Sequence, residues 1–104
     1  MNRLIIALLG SLLYSSASMA QKQTYFTNPV IHGDVADPSI LRIDDTYYAT
    51  GTSSEWAPYY PVFTSKDLVN WKQTGHVFEQ QPEWTKSSFW APEWYYHNGK
   101  VYVY

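Results

Sequence analysis

A proline, a short strand, a tight turn and an aromatic strand occur twice in this chain, 54 residues apart. Setting Pro38 on Pro92 puts Ile40 on Trp94, Asp44-Asp45 on Asn98-Gly99, Tyr47 on Val101 and Tyr48 on Tyr102. Between the copies the pattern reads as strand and loop throughout. Residues 40–43 and 46–50 make a hairpin rich in β-formers, and 51–60 is a loop. Residues 61–65 make a third strand and 66–70 a turn. Residues 71–78 make a fourth strand, where Gly75 marks a bulge. A polar loop over 79–88 follows, and Asn98-Gly99, the strongest two-residue hairpin signal, leads into a returning strand over 100–104. No stretch sustains helical periodicity, so the class is all-β. Four strands and a restart after about fifty residues is the period of a propeller blade. One blade cannot bury both of its faces, and several must stack. The chain reads as one blade and the start of a second, an incomplete propeller.

The first twenty residues stand apart from this pattern. Arg3 precedes an apolar run over 4–13, and small residues stand at Ser18 and Ala20. Charge, apolar core and small-residue site are the parts of a secretory signal peptide, with cleavage expected after Ala20. The run is shorter than the ~17–25 residues of a membrane span. The expected division is a signal peptide over 1–20 and a β-propeller part over 21–104, secreted and free of the membrane once cleaved. Cysteine is absent, which excludes a disulfide framework and a lipid-bearing thiol.

Charge narrows the partners. The chain has seven basic and nine acidic residues, and one of the bases is Arg3. Mild acidity argues against nucleic acid or an anionic membrane surface. Five Trp, ten Tyr and four Phe are more rings than so small a core needs. Most of them must fill cores and interfaces. The remainder suit sugar binding, where a flat ring packs on the apolar face of a pyranose.

The segment His32-Gly33-Asp34-Val35-Ala36-Asp37-Pro38-Ser39-Ile40 carries the chemistry. Pro38 restricts Asp37 to extended or turn backbone at the mouth of a strand. A carboxylate fixed there can act as a general base, which must sit within hydrogen-bond reach of its target. Plain turn chemistry is the far commoner origin of an Asp-Pro pair. The repeat separates the two readings, because the counterpart of Asp37 in the second copy is Ala91. A charge at one copy of a repeated position is poorly explained as scaffold.

Three local patterns are similar to the N-terminal part of glycoside hydrolase family 43. They are Ala36-Asp37-Pro38-Ser39-Ile40 after Asn28-Pro29-Val30, then Ser65-Lys66-Asp67-Leu68-Val69-Asn70-Trp71, then Phe89-Trp90-Ala91-Pro92-Glu93. The resemblance implies a five-bladed β-propeller with a funnel-shaped site at its axis. It implies an inverting glycosidase acting on plant cell-wall xylosides or arabinosides, as oligosaccharide or polysaccharide. Asp37 matches the general base, while the general acid and a third, tuning carboxylate belong to later blades. Trp90 matches an aromatic bordering the sugar, and Trp56 resembles part of a loop that shapes the same pocket. Family members often hold calcium at the axis in the complete enzyme, but no cofactor or metal ligands are identifiable in this chain.

Other residues carry weaker expectations. His32, near the base, is a candidate to line the pocket. His32, His76 and His97 lack metal-ligand spacing. Asp34 is expected to cap a turn, Glu55 and Glu83 to be solvated, and Glu93 to bond a backbone amide. Trp71 is expected to pack under the Ser-Lys-Asp-Leu turn, and Trp84 and Trp94 stand open between core and rim. Two further readings remain at this point: a non-catalytic carbohydrate-binding β-domain, and an inactive gene fragment.

Overall fold

The computed structural model describes residues 25–104. The expected signal peptide over 1–20 lies outside the described residues. Six strands form: β1 (Ser39–Ile43), β2 (Thr46–Thr50), β3 (Tyr59–Ser65), β4 (Lys72–Phe78), β5 (Trp94–His97) and β6 (Lys100–Val103). The first four make one antiparallel sheet in the order β1-β2-β3-β4, and the last two pair as a hairpin whose β5 lies against β1.

The 54-residue repeat holds residue by residue. Ile40 pairs with Ala49, Leu41 with Tyr48, Arg42 with Tyr47 and Ile43 with Thr46. In the second hairpin Trp94 pairs with Val103, Tyr95 with Tyr102, Tyr96 with Val101 and His97 with Lys100. Each pair is the first hairpin's pair moved on by the repeat. Backbone angles repeat too: φ is 49° at both Asp37 and Ala91, and 53° and 49° at Asp44 and Asn98. Asn98 and Gly99 both take positive φ, as a type I′ turn requires.

The edges of the expected strands moved where tertiary contacts decide them. β3 starts at Tyr59 rather than Pro61, because Tyr59 is buried and stacks on Phe89 at 3.9 Å between ring centroids. β4 starts after Trp71, whose indole N–H donates to the Leu68 carbonyl in the preceding turn at 2.9 Å. The irregularity at Gly75 is real: Val62 pairs with Gly75 but Phe63 with Gln73, leaving Thr74 unpaired.

The core sits at one end of the sheet and joins the two repeats. Phe89, just ahead of β5, is buried among Tyr59, Tyr60 and Phe78, edge-on to the latter two. Trp84 stays exposed and meets Phe78 at 6.1 Å, whereas Trp94 is buried. Because the strands are antiparallel, the start of β1, the end of β2, the start of β3 and the end of β4 all lie at that end. Asp37, one residue before the Pro38 that leads into β1, lies there as well.

Candidate active site

Asp37 does not take the extended backbone that a following proline favours. Its φ of 49° is left-handed, a region Asp tolerates better than most residues. Neighbouring bonds impose that conformation. The Thr52 N–H donates to the Ala36 carbonyl at 2.9 Å, and the Thr52 hydroxyl donates to Asp37 Oδ2 at 3.0 Å. Since Ala91 has the same φ, the turn belongs to the blade repeat and the carboxylate is what distinguishes Asp37.

The loop after β2 holds the rest of the site together through successive side chains. Thr52 Oγ1 accepts the Ala91 N–H at 2.8 Å. Ser53 Oγ accepts the Tyr60 N–H at 3.0 Å. Ser54 Oγ accepts the indole N–H of Trp90 at 3.1 Å, and the Ser54 backbone bridges to Phe89. Glu55 is not merely solvated: Oε1 accepts from the Ser88 N–H at 2.7 Å and from its hydroxyl at 3.1 Å. Residues 52–55 thus clasp residues 88–91 of the second repeat.

Trp90 is 63% exposed, with its indole N–H held by Ser54. Trp56 is 81% exposed and lines a cavity of about 330 Å³ with Asp34, Ala36, Thr52, Ser54 and His76. Asp34 lines this cavity, and its side chain makes no turn bond among the described residues. Asp37 itself does not line this cavity, although its neighbour Ala36 and its partner Thr52 do. Trp90 does not line it either, but its indole N–H bonds to Ser54, which does. His32 is exposed and lies outside the cavity lining, where His76 of β4 stands instead. Glu93 takes a side-chain partner rather than an amide: the Ser39 hydroxyl donates to its Oε1 at 3.3 Å. The same Ser39 Oγ accepts the backbone N–H of Trp94 at 3.0 Å.

Among the described residues, no three His, Cys, Asp or Glu side chains come together as a metal site would require.

Sequence reasoning missed Thr52, Ser54 and Glu55. The signal was available in the hairpin register. Ser39 opposite Thr50 continues outward to Asp37 opposite Thr52. A run of four hydrogen-bonding side chains at that place must meet whatever precedes β1.

A four-stranded blade and a second that begins in the same register define a partial β-propeller, with the Asp37 carboxylate held just ahead of β1. Comparison with known proteins gives the family. Residues 26–104 match Glycosyl hydrolases family 43, and the chain belongs to that family. It is 40% identical to a non-reducing end α-L-arabinofuranosidase of Bacteroides ovatus, over 97% of this chain and 20% of that protein. It is 37% identical to a β-xylosidase of Formosa agariphila, over 76% of this chain and 15% of that protein. An extracellular exo-α-(1→5)-L-arabinofuranosidase of Cellvibrio japonicus is 36% identical, over 68% of this chain and 21% of its own length. The crystal structure of the family 43 protein BlXynB from Bacillus licheniformis superposes with a TM-score of 0.68 at 36% identity, over 75% of this chain and 16% of that one. The chain therefore spans about a fifth or less of the length of these relatives.

Proposed function

We propose that this chain is the opening part of a secreted, inverting glycosidase that cleaves xylosides or arabinosides of plant-wall polysaccharides, with Asp37 as general base. The observation that carries the reading is the Asp37 carboxylate: exposed, just ahead of β1, and held by Thr52 through one oxygen only. Oδ1 meets no protein donor among the described residues and can face a water. Asp37 takes a proton from that water as its oxygen attacks the anomeric carbon. The leaving oxygen is protonated by a carboxylic acid of the remaining blades. Inversion requires the two carboxyls to stand ~6.5–9.5 Å apart, leaving room for the water. Trp90 and Trp56 offer flat, exposed indoles for the sugar ring, and Ser54 fixes the first of these. Support for the substrate class comes from the arabinofuranosidase and β-xylosidase relatives. Support for secretion comes from the charge-and-apolar pattern of residues 1–20 and from a relative described as extracellular.

Asp37→Asn in the full-length enzyme tests this. A general base contributes ~10²–10⁴-fold. The expected outcome is a loss in that range on aryl xyloside or arabinofuranoside, with sugar affinity kept and inverted product in the wild type. Undiminished turnover, or a retained anomer, would overturn the assignment. The exposed indoles also support a second reading, a sugar-binding β-domain without turnover. That reading requires residues 25–104 alone to bind xylo- or arabino-oligosaccharide, whereas the glycosidase reading expects this part alone to hydrolyse nothing.

A further inference from the structure

We infer that Thr52 is the positioning residue of the general base, and that it couples the base to the second blade. The inference rests on the assignment of Asp37 above. Thr52 touches the base segment twice, through its N–H to the Ala36 carbonyl at 2.9 Å and through its hydroxyl to Asp37 Oδ2 at 3.0 Å. The same hydroxyl accepts the Ala91 N–H at 2.8 Å. Ala91 is the residue that corresponds to Asp37 one repeat later and shares its φ of 49°. A hydroxyl has one proton to give. With a backbone N–H occupying one lone pair, that proton is directed at Asp37, and the carboxylate loses its freedom to rotate about χ2. One oxygen is tied and the other is left for the water. The second repeat thereby sets the angle at which the first presents its base. A valine at 52 would keep the shape and remove both bonds, leaving Asp37 on an exposed turn with no side-chain partner.

The test compares Thr52→Val, Thr52→Ser and Asp37→Asn in the full-length enzyme, by kcat and KM on aryl xyloside and arabinofuranoside. Misplacement by about 1 Å can cost ~10²-fold in rate. T52V is expected to lower kcat by roughly 10- to 100-fold with KM within about twofold, and T52S to recover kcat to within about threefold of wild type. If T52V does not fold, the Thr52→Ser and Thr52→Ala pair, which differ only in the hydroxyl, carries the same comparison. Wild-type kcat in T52V beside an inactive D37N would overturn the role of Thr52 and leave the base assignment standing. So would equal losses in T52V and T52S, or a loss confined to KM and thermal stability. An active D37N, or a wild type inactive on both substrates, would remove the base assignment and the role of Thr52 with it.

Discussion

Asp67 shows what a carboxylate does when its bonds serve structure. Its Oδ1 accepts the N–H groups of Val69 and Asn70 at 2.9 and 2.7 Å and the Ser65 hydroxyl at 3.0 Å, while Oδ2 accepts the Asn70 side-chain amide at 2.7 Å. These donors, the backbone N–H of Asn70 foremost, hold its carboxyl far below the usual carboxylate range. The folded state therefore binds a proton at Asp67 less readily than the unfolded chain, whose aspartates titrate near ~3.9. The resulting stability is fully present above that value and is lost as pH falls below it toward the folded one. Urea midpoints measured from pH 7 down to about pH 2.5 should show Asp67→Asn less stable than wild type at neutral pH, with the gap closing in acid. A gap independent of pH would mean that the carboxylate charge is not what the turn uses. The nearby Asp45–Lys66 pair at 2.6 Å also lowers the Asp45 carboxyl, but both partners are exposed and solvent screens them. At this scale the sequence revealed which residues carried charge and where the repeat broke. Thr52 was illegible as a single letter, because a threonine acquires its role from a register and a second blade.

Strands were legible because their signals are local: β-branched and aromatic residues, and the Asn98-Gly99 turn. Their ends were not, since Tyr59 joins β3 through Phe89, thirty positions later. Gly51 belongs to the same class of non-local fact. It is buried between the end of β2 and the segment before β1, and a Cβ there would lie 2.7 Å from Val35 Cγ1 and 2.9 Å from the Ala36 carbonyl oxygen. That oxygen is the acceptor for Thr52, so the backbone cannot yield without moving the residue next to Asp37. Gly51→Ala is therefore expected to cost about 1–3 kcal/mol by overpacking and to lower kcat as well. Thermal melting and initial rates on the same preparation check both arms. Lost stability with an unchanged kcat would show that the 35–36 segment can shift without disturbing the base.

At the scale of the whole molecule, two apolar surfaces stand uncovered among the described residues. On one, Pro29, Val30, Ile31, Ile40, Leu68 and Trp71 surround an apolar groove of about 620 Å³. On the other, the second hairpin exposes Tyr95, Tyr96, Val101 and Tyr102, and among the described residues β6 has a partner along one edge only. A blade stabilised by its neighbours needs such faces covered, and open edges pair with whatever strand is at hand. Patches of this kind bind apolar dyes and drive association when left in water. Residues 25–104 produced alone should therefore bind such a dye strongly and run on a sizing column above the monomer position. The same residues within a full-length propeller should do neither. The contrast separates the readings of function as well. A monomeric, dye-silent 25–104 that binds oligosaccharide would be a self-sufficient sugar-binding domain, and the apolar faces would need another explanation. An associating 25–104 beside a monodisperse full-length enzyme would place the stability of this blade in its neighbours, where the proposed general acid also resides. Folding and catalysis would then depend on the same stacking of blades.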